Sequence, residues 1–438
     1  MKYKERYMSL STKPLSGMRQ RLPGEFRIEK FVTETLCLSS VRAGFEEYDG
    51  PVIEPLGLFA AKSGSELVGR QSYCFKDRGG REVILRPEMT PSLARMVAAQ
   101  GELQLPVRWF STPLCYRYER PQRGRVREFL QFNLDILGSE NLAAELEVIL
   151  VLQGIMKSFK APSSIYRIGW SSRRFMSDAL ARCGVTKELT GGVFSAIDKR
   201  DKMKADAWAD FLLGACGGNS VVARQVISLV SVEFLSDPWL MDLMSGSSAF
   251  QEVVEFNELL QGVGIPSAVF SPGVVRGLDY YTGIVFELMD TGGENNRSLC
   301  GGGRYDNLVG LFGNKKISGV GFGLGVLTLT LFLETYKLIP DSVREAAPAD
   351  VYIAVASSDA TAAAGLLAAS IRDEGIRVMM DVSGKKLGKQ FSEASRYGIP
   401  FVVTVGPDEV ETGEYKMKNL SDGKIFTGSL AEITGRLK

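Results

Sequence analysis

Five arginines fall in the run Tyr116-Arg117-Tyr118-Glu119-Arg120-Pro121-Gln122-Arg123-Gly124-Arg125-Val126-Arg127-Glu128. Each guanidinium is a permanently charged planar fork that fits phosphate or carboxylate. Apolar sequence lies on either side, Val107 to Phe110 before and Phe129 to Leu137 after, and Pro121, Gln122 and Gly124 mark a turn between them. A strand, an arginine-loaded loop and a returning strand would bring cations to one face of a sheet. A solvated basic loop is the ordinary alternative. The interleaved carboxylates Glu119, Glu128 and Asp135 favour a site for an anionic ligand.

The chain contains no histidine. Ser-His-Asp and Cys-His arrangements and histidine metal ligands are therefore excluded. Chemistry here must use Arg, Lys, Tyr, Asp, Glu or a bound metal. Three further stretches carry such residues: Leu85-Arg86-Pro87-Glu88-Met89-Thr90, Val275-Arg276-Gly277-Leu278-Asp279-Tyr280-Tyr281, and Ser298-Leu299-Cys300-Gly301-Gly302-Gly303-Arg304-Tyr305-Asp306. A buried carboxylate such as Glu88 needs a cation, and an ammonium group is a natural partner. A helix start at Thr90 and Pro91, with Thr90 as its cap, is the structural alternative and is compatible with that role. Tyrosines offer a flat face and a hydroxyl tip to a heteroaromatic ring, although a core tyrosine pair on a strand is common. The triple glycine reads as a turn that lets backbone approach a ligand.

At 438 residues the chain is long enough for two or three domains. Its 45% apolar and 24% charged content is that of a globular protein, and a net charge of +1 gives no global basic field. Any RNA contact must come from local patches. Six cysteines are scattered without a C-x-x-C pair, which points away from zinc or a disulfide framework and toward a reducing, cytosolic setting. No apolar region follows Met1, so secretion is not expected.

The elements that must position these residues can be laid out in order. Ile28, Phe31, Val32 and Leu36 recur at helical spacing from Gly24 to Ala43, and Gly44-Phe45 opens a strand from Glu46 to Glu54. Residues 73–85 read as a hairpin, and Ser92 to Ala99 as a helix. Residues 138–255 are mostly helical in pattern. Ile317 to Leu333 carries no charge, but glycines at 319, 321, 323 and 325 follow the period of a strand. The expectation is a buried strand leading into a helix rather than a membrane span, with one bare face forming a slot for a flat ring. Pro340 to Pro348 is a linker, after which strands at 351–356, 376–381 and 400–405 alternate with helices at 360–373 and 386–397. Such alternation implies a small α/β domain.

The arginine run resembles motif 2 of the class II aminoacyl-tRNA synthetases, and specifically the histidyl-tRNA synthetase family, whose pattern is R-x-E-R-P-Q-x-G-R-x-R-x-F-x-Q. The likeness extends from about residue 15 to the end of the chain. It implies an α+β catalytic domain with an antiparallel sheet over residues 1–340, a helical insertion at about 160–260, and an anticodon-binding-like α/β domain at 349–438. It implies a histidine–tRNA ligase that activates histidine with ATP and Mg²⁺ and transfers it to tRNA, working as a cytoplasmic homodimer with no membrane association. A relative that has lost catalysis and binds histidine or tRNA as a regulatory subunit is the alternative. By resemblance, Arg276 and Arg117 are catalytic, and Glu88, Thr90, Gln131, Asp135, Tyr280 and Tyr281 surround histidine. ATP would be met by Arg117, Glu119, Arg125 and Gly325. Two departures stand out: Asp135 where the family usually has Glu, and Leu327-Thr328 where it has the Glu-Arg of motif 3.

A ligase that contains no histidine can be translated when charged histidine tRNA is exhausted. Depleting that tRNA in a translation extract should spare synthesis of this chain while histidine-containing controls stop. An equal fall in both would remove the idea's mechanism.

Overall fold

The computed structural model describes residues 11–60, 71–100, 103–275, 280–293, 295, 298–313 and 316–438. These form two compact units, residues 1–339 and 340–438. The first is built on a nine-stranded sheet. Its strands run in the order Glu46–Glu47, Val107–Ser111, Glu128–Leu137, Gly319–Gly325, Cys300–Tyr305, Ile284–Asp290, Tyr166–Ser172 and Ala268–Phe270. The ninth, Leu114–Tyr116, pairs with the first half of Glu128–Leu137. The inner pairs are antiparallel, and only the two edge pairs are parallel.

Helices Pro23–Arg42, Ala143–Ser158 and Val326–Thr335 pack together against the sheet. The first begins with Pro at a position where the missing N–H costs nothing, and Gly44, at φ +77°, ends it in the left-handed region. The second buries Val148, Ile149, Leu152, Ile155 and Met156. The uncharged stretch is a strand, Gly319–Gly325, running directly into the helix Val326–Thr335. No helix among the described residues is long and apolar enough to cross a membrane.

One expectation gains an element and two are corrected: the mostly helical reading of 138–255 stands. The region 138–255 holds a sheet strand, Tyr166–Ser172, ahead of the helices Arg173–Arg182, Lys187–Asp198, Ala205–Ala215, Ser220–Val230, Pro238–Leu243 and Ser248–Gly262. Six of its seven residues are buried, so no polar alternation marks it. The triple glycine lies not in a turn but in the strand Cys300–Tyr305. A Cβ on Gly302 would lie 2.3 Å from the Gly321 carbonyl oxygen, so these glycines let two inner strands close on one another. The strand expected over Glu46 to Glu54 is two short pieces that find partners in their own chain: Glu46–Glu47 on Val107–Ser111, and Ile53–Pro55 on Glu82–Leu85.

The second unit is a five-stranded sheet in the order Val378–Met380, Val351–Val355, Phe401–Val405, Tyr415–Asn419 and Ile425–Gly428. Its first three strands are parallel, and helices Thr361–Asp373 and Leu387–Arg396 connect them. The two later strands and the helix Leu430–Leu437 continue the α/β pattern beyond the elements read from sequence.

One buried ion pair ties helix to sheet: Arg304 holds both carboxylate oxygens of Glu145, with Arg304 3% and Glu145 0% exposed. Arg304 Nη1 also donates to the Ser139 carbonyl at 2.8 Å. Removing one partner leaves a buried charge uncompensated. Glu145→Ala should therefore cost about 3–5 kcal/mol in denaturant unfolding. Glu145→Leu combined with Arg304→Met should recover most of that loss.

Candidate active site

The arginine loop is closed by its own backbone. The Arg117 N–H donates to the Arg127 carbonyl at 2.9 Å, and Gln122 and Arg125 exchange bonds of 3.0 and 2.9 Å across Gly124, at φ +74°. Only a residue tolerant of positive φ can stand at that tip. Arg117 is fixed from two sides: its Nε donates to the Pro87 carbonyl at 2.9 Å, and its guanidinium lies 5.3 Å from the Phe129 ring centre. Arg125 pairs with the buried Glu119 at 2.6 Å. Arg127 faces back, donating to the Glu119 carbonyl at 3.1 Å and stacking 4.1 Å from Tyr118. Of the interleaved carboxylates Glu119 thus orients Arg125, while backbone carbonyls and rings orient Arg117 and Arg127.

Next to the loop, alternate residues of the strand Glu128–Leu137 stand on the same face as the glycines of Gly319–Gly325. Asn133 registers with Gly323, and Asp135 with Gly321. The bare face is partly filled by neighbours rather than left open. A Cβ on Gly321 would meet Asp135 Oδ1 at 2.1 Å, and one on Gly319 would meet the Tyr305 ring at 2.4 Å. Gln131 lies above Gly323, its Nε2 donating to Asn133 Oδ1 at 2.8 Å.

Asp135 is 3% exposed, and its Oδ1 accepts from the Tyr305 hydroxyl at 2.6 Å. Its Oδ2 is buried without a partner among the described residues. Burial pushes the Asp135 carboxyl up to about 7, against the opposing pull of the Tyr305 hydrogen bond. The wall beside it is aromatic: Tyr280 and Tyr281 have ring centres 4.8 Å apart, and Tyr280 stands edge-on to Tyr305 at 6.0 Å. The Tyr280 hydroxyl donates to Glu88 Oε2 at 3.4 Å. The helix Thr90–Ala99 starts at Thr90 with Pro91 in its first turn, as the structural alternative has it, but the cap position is Met89, which makes no side-chain capping bond.

One cavity of about 1510 Å³ is lined by Glu88, Thr90, Arg117, Glu119, Arg125, Gln131, Asp135, Tyr280, Tyr281 and Gly325. The structure thus brings together every assigned site residue that it describes; Arg276 lies outside the described residues. The volume exceeds the roughly 300–1,000 Å³ usual for one small ligand. Arg117, Arg123 and Arg125 line it together with Glu88, Asp135 and the tyrosines. Such a cavity can hold a polyanion beside a small zwitterion with a polar ring. Reading the sequence residue by residue missed Tyr305, which holds Asp135. Its only signal was its place after the triple glycine. Leu327 and Thr328 also line the cavity. Thr328 Oγ1 donates to the Gly325 carbonyl at 2.8 Å, and a Cβ on Gly124 would lie 3.4 Å from Thr328 Cγ2. The tip of the arginine loop therefore rests beside position 328.

An antiparallel sheet carrying an arginine hairpin and a glycine strand that enters a helix defines a class II aminoacyl-tRNA synthetase. The sequence model of histidyl-tRNA synthetase matches residues 17–329, and that of an anticodon binding domain matches residues 350–438. The chain belongs to the histidyl-tRNA synthetase family. The histidine–tRNA ligase of Leptospira biflexa is 35% identical over 432 residues, covering 98% of both chains. The chloroplastic/mitochondrial histidine–tRNA ligase of Arabidopsis thaliana is 35% identical over 430 residues, 98% of this chain and 87% of the relative. The crystal structure of histidyl-tRNA synthetase from Nostoc sp. PCC 7120 shares the fold, with a TM-score of 0.80 at 22% identity over 98% of this chain and 99% of that one.

Histidine affinity should fall on the acid side of pH about 7, where Asp135 takes up a proton and its Oδ2 stops accepting. Asp135→Asn should weaken binding at pH 8 by about tenfold to a hundredfold, the worth of a charged hydrogen bond. Tyr305→Phe removes the bond that favours the carboxylate, so the acid limb should move to higher pH. Calorimetry from pH 5.5 to 8.5 reads both. An unmoved limb in Tyr305→Phe would show that Asp135 does not govern it.

Proposed function

We propose that this chain is a histidine–tRNA ligase whose two substrates meet in the cavity between the arginine loop and Asp135. The observation that carries this reading is the unpartnered Oδ2 of Asp135. A buried carboxylate oxygen beside three tyrosines calls for an N–H donor on a flat ring, and an imidazole supplies it. Glu88, with Thr90 beside it, would hold the α-ammonium. The Tyr280 hydroxyl on Glu88 keeps that carboxylate turned toward the tyrosine wall.

ATP lies over the glycine strand by this reading, with its ring beside Phe129 and Gly325 and its phosphates toward Arg117 and Arg125. The histidine carboxylate attacks the α-phosphorus and pyrophosphate leaves; the acyl group then passes to the 3′ end of tRNA. Charge grows on the phosphoryl oxygens in the transition state, and fixed cations aimed there need no reorganisation. Arg117, held by Pro87 and Phe129, meets that requirement. Arg276 is assigned to the same oxygens by its motif. Magnesium arrives with the ATP phosphates and needs one or two carboxylates; Glu287, on the cavity wall, fits that need. The metal would draw charge from the phosphates.

Motif 3 has Leu327 and Thr328 in place of an acid and a base. Because the tip of the arginine loop rests beside Thr328, Arg123 and Arg125 can bring charge to the place an arginine at 328 would serve. The second unit, an α/β module with surface lysines, would read the tRNA. A second copy of the chain would cover the exposed Phe26, Leu38 and Val41 of the helix Pro23–Arg42, and Ile53 is exposed as well. The setting is cytoplasmic by this reading.

Histidine-dependent ATP–pyrophosphate exchange tests the proposal. The wild type should catalyse it, and Arg117→Ala should lose about two to three decades, as expected for one fixed donor at a developing charge. A wild type that binds histidine but exchanges nothing would instead identify a binding subunit.

A further inference from the structure

Two consecutive arginines open the first helix of the insertion, Arg173–Arg182, straight after the strand Tyr166–Ser172. Ser172 caps that helix, its Oγ accepting from the Phe175 N–H at 3.4 Å. Arg173 Nη1 donates to the Val275 carbonyl at 3.1 Å, and its backbone N–H donates to the Gly283 carbonyl at 2.8 Å. Arg174 Nε donates to the Thr282 carbonyl at 3.2 Å. Neighbouring side chains therefore hold the backbone on both sides of the run that ends in Tyr280 and Tyr281.

Each guanidinium is itself held from behind. Arg173 lies 4.0 Å from the ring centre of Phe194, on the helix Lys187–Asp198. Arg174 reaches Glu252, on the helix Ser248–Gly262, at 3.1 Å and Asp306 at 3.3 Å. Asp306 in turn accepts from the Thr282 hydroxyl at 2.7 Å and from the Ser318 hydroxyl at 2.7 Å. These bonds and the neighbouring charges keep the Asp306 carboxyl below its ordinary range. Asp306 directly follows Tyr305, the residue that donates to Asp135.

We propose that Arg173 and Arg174 are positioning residues for the histidine subsite. They fix the backbone at Val275 and Thr282, and Arg174 works through Asp306, so that Tyr280, Tyr281 and Tyr305 keep their places around the imidazole. The inserted helices, through Phe194 and Glu252, are tied to that wall. Arg174 is half exposed, yet it and Arg173 each commit a donor to a backbone carbonyl far along the chain, at separations of 108 and 102 residues. A purely structural stitch predicts that loosening the clamp weakens both substrates together. A positioning clamp predicts a loss that falls first on histidine, because the arginine loop makes none of these contacts. The cleaner probe is Arg174 at Thr282, since Arg173 holds Val275, the sequence neighbour of Arg276.

The inference rests on the ligase reading, so histidine binding and exchange by the wild type come first; their failure would overturn that reading and the clamp with it. With those in hand, Arg174→Ala and Asp306→Asn should raise the KM for histidine in pyrophosphate exchange by about tenfold to a hundredfold, the range of one charged hydrogen bond. For Arg174→Ala the KM for ATP and the Tm should stay near wild type; Asp306→Asn also loosens Arg304, 3.6 Å away, and is read on the ratio of the two KM values. Arg174→Lys keeps the charge toward Glu252 and Asp306 but cannot fork to Thr282, and should fall between. Arg173→Ala gives an independent measure at the other end of the run. Unchanged histidine KM in Arg173→Ala and Arg174→Ala overturns the clamp. So does a parallel rise of both KM values with a lowered Tm in Arg174→Ala.

Discussion

The site depends on burying one carboxylate beside a tyrosine hydroxyl. Asp135 can lie flat on the sheet only because Gly321, its partner in register, has no Cβ; an atom there would fall 2.1 Å from Oδ1. Gly319 grants the same room to the ring of Tyr305. Two alternate glycines on one strand thus admit an acid from one neighbouring strand and a phenol from the other. Taking a carboxylate out of water is costly unless it is paired. One oxygen is satisfied by Tyr305 and the other has no partner among the described residues, so under the proposed function part of the folding cost would become selectivity. Tyr305 holds this acid, shorter than the Glu the family resemblance leads one to expect, in a fixed place.

The same constraint shapes the strand on the other side. Gly302 and Gly303 would drive a Cβ into the Gly321 and Ile284 carbonyl oxygens at 2.3 and 2.6 Å. The inner strands therefore approach closely, and Arg304 turns to the opposite face to meet Glu145. The site face carries almost no side-chain bulk at its centre. Its chemistry comes from the rims: arginines on the loop 117–127, tyrosines at 280, 281 and 305, and Glu88 ahead of a helix.

Much of this was legible in the chain itself. The arginine hairpin, the glycine strand with its helix, and the C-terminal alternation of strands and helices are local patterns, and local patterns survive folding when the core confirms them. What was hidden is non-local. The role of Tyr305 follows from a register across three strands, which no spacing in the sequence encodes. The strand Tyr166–Ser172 is buried on both faces, so it lacks the alternation that announces a half-exposed strand. The strand piece Glu46–Glu47 found its partner in Val107–Ser111, some sixty residues on. The glycines at 301–303 look like a turn because glycine is common in turns; only the steric map separates the two meanings.

The absence of histidine from the chain fits the logic of the pocket. To bind an imidazole selectively, a site needs a fixed acceptor for its N–H, a hydroxyl donor for its other nitrogen and a flat wall for its ring. Carboxylate and tyrosine supply these, and a protein imidazole near the same pKa would compete for the proton that Asp135 and the ligand share. The phosphate end likewise has no use for a group that changes charge near neutrality, because its task is to hold constant positive charge. Arginine does that at any pH the cell reaches. The residue absent from the chain is therefore one that neither half of the site requires. Under the proposed function, titration would be left to Asp135 and the substrate's own ring, and the pH response of the pocket would be set by that pair.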